Sequence, residues 1–206
     1  MKIYGFPTFN VLKVLFTAEE LGLDYEFVML DAQQGQHKTP EHIRRHPLGK
    51  VPAIEHDGNY LFESAAICRY LAVTTESSMY AGTPLQRANI DQWVDMVGHH
   101  VGRWLAVYFW EEIIKPKFMG QPANEKSLQE AKGFLEKQLP AINNQLGESR
   151  FLASDQLSIA DTFACSYFTI TGETSASIGT YSNISRWYEE VTSRPAFARA
   201  TGKFPG

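Results

Sequence analysis

The chain contains 206 residues, of which 44% are hydrophobic and 20% are charged, a composition that favours a globular protein of one large or two small domains. Its formal net charge is −4 and its Lys and Arg residues form no basic run, which argues against a nucleic-acid partner. No apolar stretch approaches the ~18 residues that a membrane-spanning helix needs, so we expect no membrane partner.

The cysteines and histidines narrow the class of protein further. Cys68 and Cys165 lie far apart and form no CxxC pair, which predicts a reduced, cytoplasmic chain. Strand-like sequence begins at Lys2, so we expect no secretory leader. The six histidines form no HxH or HExxH pattern, and we therefore expect no metal site.

The first part of the chain alternates strand and helix patterns, which predicts an α/β domain. Gly22 ends the first helical pattern, Thr39-Pro40 is typical of a helix start, and Asp57-Gly58-Asn59 is typical of a hairpin turn. The predicted elements, in chain order, are a strand at Lys2–Gly5, a helix at Asn10–Leu21, a strand at Tyr25–Leu30, a short helix from Pro40, strands at Ala53–His56 and Tyr60–Phe62, and a helix at Ser64–Val73.

The second part of the chain carries only helical patterns. Residues 74–84 are rich in Thr, Ser, Gly and Pro, so we predict a first domain at 1–75, a linker at 76–83 and an all-helical domain at 84–206. The predicted helices are a long amphipathic helix spanning Ile90–Tyr108, a helix at Gln129–Leu146 interrupted or bent near Pro140, a helix after the capping box Ser158–Asp161, and a last helix at Ile184–Ser193.

A turn between the first strand and the first helix is the first candidate site. Thr8 and Asn10 lie where a helix N-terminus stabilises an anion such as a thiolate, and each side chain adds a hydrogen-bond donor. Thr and Asn are also common helix caps, so a purely structural role is the alternative.

Two further segments point to a peptide-like ligand. Val51 precedes Pro52 at the start of a strand and is therefore extended. If the Val51–Pro52 bond is cis, the Val51 backbone can pair with an extended peptide, although an ordinary strand entry has the same sequence. Glu63-Ser64 joins a strand to a helix, where Ser64 and the helix N-terminus can hold a carboxylate and Glu63 an ammonium group. A plain helix cap is the alternative here.

Three basic side chains, His37, Lys38 and Lys50, offer partners for a second carboxylate. Together the candidate residues describe a site for a small peptide with a carboxylate at each end, an amino group and a thiol. Glutathione has these groups.

The motifs GLDYE, HKTPEH, P-x-GKVPA and LFESAAICRYL, followed by KFMG, RFLASDQLSIAD and NISRWYEEVTSRPAF, occur in the order and spacing of cytosolic glutathione transferases. The chain resembles that family over nearly its whole length, most closely the phi and theta classes. The resemblance implies a thioredoxin-like N-terminal domain followed by an all-helical C-terminal domain, with glutathione as co-substrate and no metal.

The resemblance also implies roles for individual residues. The family's pattern assigns them as follows: Glu63 and Ser64 to the γ-glutamyl end of glutathione, Val51 to its cysteinyl backbone, Pro52 to a cis proline, His37, Lys38 and Lys50 to the glycyl carboxylate, and Phe6, Trp104 and Tyr108 to the pocket for the second substrate. The last three are equally compatible with core packing.

The catalytic position departs from the phi and theta pattern, which has Ser where this chain has Thr8. Thr8-Phe9-Asn10 is similar to the Thr-x-Asn of the bacterial nu class, which implies glutathione-dependent disulfide reduction. Tyr4 is the alternative catalytic residue, because several classes use a Tyr of the first strand, but its spacing from the first helix does not match theirs.

We therefore expect a glutathione transferase that directs the glutathione thiolate, through Thr8 and Asn10, at a hydrophobic electrophile. Two alternatives stay open: a glutathione-dependent disulfide oxidoreductase, with peroxidase activity as a variant, and a non-catalytic binding or regulatory protein. By resemblance we also expect a homodimer in the cytoplasm with a role in detoxification.

Overall fold

The structure, a computed structural model, describes residues 1–205 and shows two compact units. One unit comprises Met1–Ala81 together with the described residues from Ser193 on, and the other comprises Gly82–Thr192. The division therefore differs from the predicted domains, because the end of the chain packs in the first unit and not in the helical one.

A four-stranded sheet forms the centre of the first unit, in the order β2–β1–β3–β4. Strands β1 and β2 are parallel, whereas β1 with β3 and β3 with β4 are antiparallel. The strands are β1 Lys2–Gly5, β2 Glu26–Met29, β3 Ala53–His56 and β4 Asn59–Phe62, and the helices of this unit are α1 Phe9–Glu20, α2 Pro40–Arg45, α3 Ser64–Thr74 and α9 Pro195–Thr201, with 3-10 turns at Gln36–Lys38 and Ser78–Tyr80.

Local sequence explains most of these boundaries. Thr39 caps α2 by accepting a hydrogen bond from the His42 N–H at 3.3 Å, and Pro40 occupies the first helical position, where its missing N–H costs nothing. Asp57 and Gly58 both have positive φ, +50° and +75°, as the two-residue turn between β3 and β4 requires.

Helix α9 is an element that the sequence patterns do not predict. The Phe197 ring packs edge-on against Phe16 of α1 with ring centroids 5.3 Å apart, and the Arg194 guanidinium donates to both carboxylate oxygens of Glu20 at 2.5 and 2.8 Å. These contacts join residues more than 170 positions apart, so α9 is stabilised by α1 and not by its own short sequence.

The second unit is all-helical over its described residues. Its elements are α4 Pro84–Met96, α5 Gly102–Tyr108, α6 Glu125–Glu148, α7 Ile159–Phe168 and α8 Ser182–Thr192, with π-helical segments at Val97–Val101 and Phe109–Met119 and a 3-10 turn at Thr169–Gly172. The predicted helix over Ile90–Tyr108 is thus part of a longer run from Pro84 to Met119. None of the helices in residues 1–205 is long and apolar enough to cross a membrane.

Of the two predicted outcomes near Pro140, the interruption is wrong, because α6 continues from Glu125 to Glu148 with Pro140 inside it, while the bend stays a prediction. A proline removes one helical hydrogen bond, but a stripe of buried side chains continues on both sides of it. The stripe consists of Ala131, Leu135, Leu139, Ile142 and Leu146. Tertiary packing therefore outweighs the local cost of the proline.

The predicted capping box before α7 is a buried hub of this unit. Asp161 is 0% exposed and accepts four hydrogen bonds of 2.9 Å: two from Ser158, one from the Leu152 N–H and one from the Trp187 indole. The carboxylate thus ties the start of α7 to the preceding loop and to α8.

Candidate active site

The sheet register brings the candidate segments of the first unit to one edge. Tyr4 of β1 pairs with Ala53 of β3, and Ala53 pairs with Phe62 of β4. Because β3 runs antiparallel to both neighbours, its start lies beside the ends of β1 and β4. The turn at Thr8, the Val51–Pro52 bond and the Glu63-Ser64 segment therefore leave the sheet at the same edge.

Thr8 is the N-cap of α1 and lies at the turn after β1. It is half-buried, with φ −154° and ψ 155°, and its Oγ1 accepts a hydrogen bond from the Val11 N–H at 3.2 Å. Gly5 allows this close turn, because a Cβ there would meet the Val11 side chain at 2.7 Å. The hydroxyl group of Thr8 uses one lone pair in the cap, and its proton is directed elsewhere.

Asn10 is the second residue of α1 and is half-buried. Its Oδ1 accepts a hydrogen bond from Lys13 Nζ at 2.7 Å. Lys13 is only 1% exposed, and it is not among the residues that the sequence predicts for the site. The signal that could have revealed it is the i, i+3 spacing, which places the two side chains on one face of α1.

The alternative catalytic residue, Tyr4, has its hydroxyl engaged inside the unit. It donates to Glu55 Oε2 at 2.7 Å, and the Arg45 guanidinium lies 4.0 Å from the ring centroid. Burial and the Glu55 hydrogen bond raise the pKa of Tyr4 to about 12. Tyr4 therefore serves β1–β3 packing and is a poor thiol activator at neutral pH.

Both cysteines are buried packing residues, as the sequence predicts. Burial raises the pKa of the Cys68 thiol to about 11 and raises the pKa of Cys165 well above its ordinary value. Neither residue has the lowered pKa of a cysteine nucleophile.

The Val51–Pro52 peptide bond is cis, and Val51 precedes the first paired residue of β3, Ala53. At the neighbouring position of the edge, Glu63 has φ +69°, an uncommon conformation for a residue other than glycine. The Glu63 side chain is exposed and Ser64 begins α3. The Glu63 carboxylate, the Ser64 hydroxyl and the N-terminus of α3 therefore lie together at the start of this helix. Strained backbone of this kind is concentrated at functional sites.

His37 lies beside the turn after β1, since its ring contacts Phe6 edge-on with ring centroids 5.4 Å apart. Burial, followed by nearby Lys38 and His42, lowers the pKa of His37 below its ordinary value. Its Nδ1 is buried and has no hydrogen-bond partner among residues 1–205. At neutral pH His37 is therefore a neutral hydrogen-bonding group and not the cation that its sequence position suggests.

The segments that carry the two lysines of the candidate site pack against each other. Lys38 Nζ donates to the Leu48 carbonyl at 3.2 Å. Between Leu48 and Lys50, Gly49 has φ +57°, and a Cβ there would meet the His37 carbonyl oxygen at 2.7 Å, so only glycine fits. The exposed Lys50 therefore follows a turn that packs directly on the His37–Lys38 segment.

The aromatic candidates of the second unit lie in or beside packed helices. Tyr108 is 5% exposed, whereas Trp104 is half-buried and stacks on Phe134 of α6 with ring centroids 4.2 Å apart. Trp104 also lines a groove of about 300 Å³. Other residues that line this groove are Arg103, Trp110, Ser127 and Glu130.

A metal centre finds no support in the geometry. In the part of the chain that the structure describes, no three His, Cys, Asp or Glu side chains are grouped so that they could hold a metal ion.

Comparison with known proteins identifies the class of protein to which the chain belongs. Residues 1–73 match the family model "Glutathione S-transferase, N-terminal domain", and residues 106–195 match "Glutathione S-transferase, C-terminal domain". A "Probable glutathione S-transferase GSTF1" of Oryza sativa subsp. japonica is 34% identical over 203 residues, covering 95% of this chain and 93% of the relative.

Solved structures agree with the sequence relatives. Glutathione transferase F2 from Populus trichocarpa superposes with a TM-score of 0.91 at 29% identity, covering 98% of this chain and 97% of its own. Glutathione S-transferase I from maize, in complex with an atrazine glutathione conjugate, has a TM-score of 0.90 at 29% identity and covers 98% and 96%. The chain belongs to the glutathione S-transferase family.

The predicted family, two-part fold, enzyme class and co-substrate are therefore confirmed: the chain is a glutathione transferase. The nu-like detail at Thr8 and Asn10, the residue roles and the second substrate stay predictions.

Proposed function

We propose that this glutathione transferase binds glutathione along the sheet edge described above and activates its thiol through Thr8 and Asn10. The observation that carries the proposal is the hydrogen bond from the Val11 N–H to Thr8 Oγ1 at 3.2 Å. This bond fixes the hydroxyl as an acceptor on its helix side, so the hydroxyl proton is available as a donor on the other side, where the thiolate would lie.

The γ-glutamyl end of glutathione carries a carboxylate and an ammonium group, and we propose that groups of opposite charge hold it. Ser64 and the N-terminus of α3 bind the γ-glutamyl carboxylate, and Glu63 binds the neighbouring ammonium group. Val51 pairs with the cysteinyl backbone, because it lies beside the cis bond to Pro52 and before the paired part of β3.

The glycyl carboxylate lies near Lys38 and Lys50, which follow closely packed turns and remain exposed. His37 contributes a hydrogen bond and not a charge, since its pKa is lowered mainly by burial. Affinity for this end of glutathione therefore depends on the two lysines and on salt concentration.

Activation is a matter of shifting the thiol pKa. A free thiol has a pKa of about 8.5, so only a few per cent is ionised at pH 7. Lowering this pKa by about two units requires about 2.7 kcal/mol of differential stabilisation, which two or three charge-assisted hydrogen bonds supply. The thiolate then attacks an electrophilic carbon, and the leaving group departs without any covalent bond to the protein.

We propose a hydrophobic electrophile as the second substrate, with Phe6 of the first unit and Trp104 and Tyr108 of the second unit as separate candidates for contact with it. Of the two helical residues, Trp104 exposes more surface to a ligand, because it is only half-buried whereas Tyr108 is 5% exposed. Disulfide reduction is a second candidate activity, favoured by the Thr8-x-Asn10 spacing. In that reaction the thiolate attacks a disulfide sulfur, and a second glutathione completes the reduction.

We further propose that the enzyme acts as a cytoplasmic homodimer in detoxification. The family membership supports this. Light scattering on the purified protein measures the oligomeric state directly.

The test is a titration of the purified enzyme with glutathione across pH, following thiolate absorbance in the ultraviolet. A bound-thiol pKa well below that of free glutathione supports activation, and parallel assays with chlorodinitrobenzene and hydroxyethyl disulfide compare the two reactions. Binding with an unshifted pKa contradicts the activation proposal and favours a non-catalytic protein.

A further inference from the structure

Lys13 is an unusual residue for the inside of a protein, because lysines are almost never buried unless they are paired. It is 1% exposed and is among the largest fully buried side chains of the chain. Its Nζ donates to Asn10 Oδ1 at 2.7 Å and lies 5.2 Å from the centroid of the Phe9 ring. The Lys13 amino group therefore lies against residues of the first turn of α1.

The groups around Lys13 come from both helices that begin at the sheet edge. Glu63, at the start of α3, and Cys68, one turn further, interact electrostatically with the Lys13 amino group. The Cys68 thiol also donates to the Lys13 carbonyl at 3.5 Å and accepts from Thr17 Oγ1 at 3.4 Å. Burial lowers the pKa of Lys13, and Cys68 and Glu63 oppose that shift. Lys13 therefore lies between the proposed thiol end and the proposed γ-glutamyl end of the site.

The side-chain amide of Asn10 can adopt two orientations that differ by half a turn, and the hydrogen bond from Lys13 selects one of them. A lysine amino group donates to oxygen, so Asn10 must turn its Oδ1 toward Lys13 and its NH₂ group away from it. An amide that is free to rotate by half a turn can also present Oδ1 to the ligand. An oxygen lone pair repels a thiolate, whereas an N–H group stabilises it.

We propose that Lys13 is a positioning residue for catalysis: by holding Asn10 Oδ1, it keeps the Asn10 N–H groups directed at the sulfur of bound glutathione. The inference rests on the proposed function, because it assumes that Asn10 is a thiolate donor. Lys13 itself does not touch the substrate.

A double-mutant cycle tests this role. Lys13→Met keeps the length and unbranched shape of the side chain but removes the donor, Asn10→Ala removes the amide, and a third variant combines both. We expect each single change to raise the pKa of the bound glutathione thiol by about one unit and to lower kcat/KM at pH 6.5 about tenfold. The double variant should show no larger loss than either single one, because both changes remove the same interaction.

Two measurements separate positioning from a merely structural role. Binding of S-methylglutathione, which has no ionisable thiol, should change less than about threefold in Lys13→Met. Lys132→Met, at an exposed lysine of α6, is the matched control and should leave the thiol pKa unchanged. Losses in Lys13→Met and Asn10→Ala that multiply in the double variant would refute the positioning role.

The failure of this inference differs from the failure of the proposed function. If the wild-type enzyme does not lower the thiol pKa, the proposed activation fails and the role of Lys13 fails with it. If the wild type lowers the pKa and Lys13→Met lowers it equally, only the inference fails. Should Lys13→Met not fold, Lys13→Gln, which keeps an N–H donor, tests the role in another way: a bound-thiol pKa near the wild-type value supports it, and a pKa raised as far as in Asn10→Ala refutes it.

Discussion

Replacing Thr8 with Ala removes two hydrogen bonds with different consequences. One is the cap from the Val11 N–H to Thr8 Oγ1 at 3.2 Å, and losing such a cap lowers the free energy of unfolding by about 1 kcal/mol. The other is the proposed bond from the hydroxyl to the thiolate. Hydrogen bonds to charged groups contribute about 1.5–3 kcal/mol, which corresponds to about one to two pKa units for the bound thiol.

The expected result for Thr8→Ala is therefore a loss of turnover with little loss of binding. At pH 6.5 the thiolate fraction, and with it kcat/KM, should fall about 10- to 100-fold. The dissociation constant of glutathione should change less than about threefold, since the groups that hold its two carboxylates and its backbone are untouched. Stopped-flow titration of thiolate absorbance and steady-state kinetics with chlorodinitrobenzene measure the two quantities. Thr8→Ser, which keeps the hydroxyl, should retain most of the activity.

Thr83→Ala is the matched control, because Thr83 caps α4 in the same way as Thr8 caps α1. Its Oγ1 accepts from the Gln86 N–H at 3.3 Å. This variant should lose about 1 kcal/mol of stability while the thiol pKa stays at the wild-type value. If Thr8→Ala weakens glutathione binding as much as it slows turnover, or if Thr83→Ala loses the same activity, the hydroxyl does not activate the thiol.

Two stability predictions follow from buried polar groups. Asp161→Ala leaves four donors without their acceptor: the N–H and the hydroxyl of Ser158, the Leu152 N–H and the Trp187 indole N–H. We therefore expect the free energy of unfolding in urea to fall by about 3–5 kcal/mol, against about 1 kcal/mol for Ser158→Ala. A loss below about 1 kcal/mol for Asp161→Ala would contradict this. His46 has a pKa lowered by burial, and its Nδ1 accepts from the Leu48 N–H at 3.3 Å. Its contribution to stability is present above the unfolded pKa of about 6.5 and is lost as the pH falls through the lower folded pKa. The slope of unfolding free energy between pH 6.5 and 5 should therefore be smaller in His46→Asn, by up to about 1.4 kcal/mol per pH unit, and an equal slope would contradict the assignment.

Elements with local signals are the ones that the sequence predicts well. Strand β1 at Lys2–Gly5 has the predicted bounds, and the predicted helix Asn10–Leu21 is shifted by one residue to Phe9–Glu20. A cap such as Thr39 or a turn such as Asp57-Gly58 acts through bonds within a few residues, so the residue types alone indicate where an element begins or ends.

Elements that depend on distant contacts are predicted poorly, for the same physical reason. Helix α9 forms where Phe197 and Arg194 meet Phe16 and Glu20 of α1, and no local pattern contains that information. At Pro140 the local rule for helix breaking is correct in isolation, but it is outweighed by a buried stripe that only the folded unit reveals.

At the candidate site, too, the sequence reveals the residue types but not which of their atoms face the ligand. The sequence indicates that Asn10 can donate or accept, but not which atom of its amide faces the ligand. We propose that Lys13 makes that choice. Lys13 is buried beside α3, some 50 residues further along the chain, where the Cys68 thiol donates to the Lys13 carbonyl. In this proposal a lysine, a residue type usually found at the surface, sets which atoms of the Asn10 amide face bound glutathione. The proposed thiol-activating pair Thr8 and Asn10 therefore depends on the folded first unit and on both helices that start at the sheet edge.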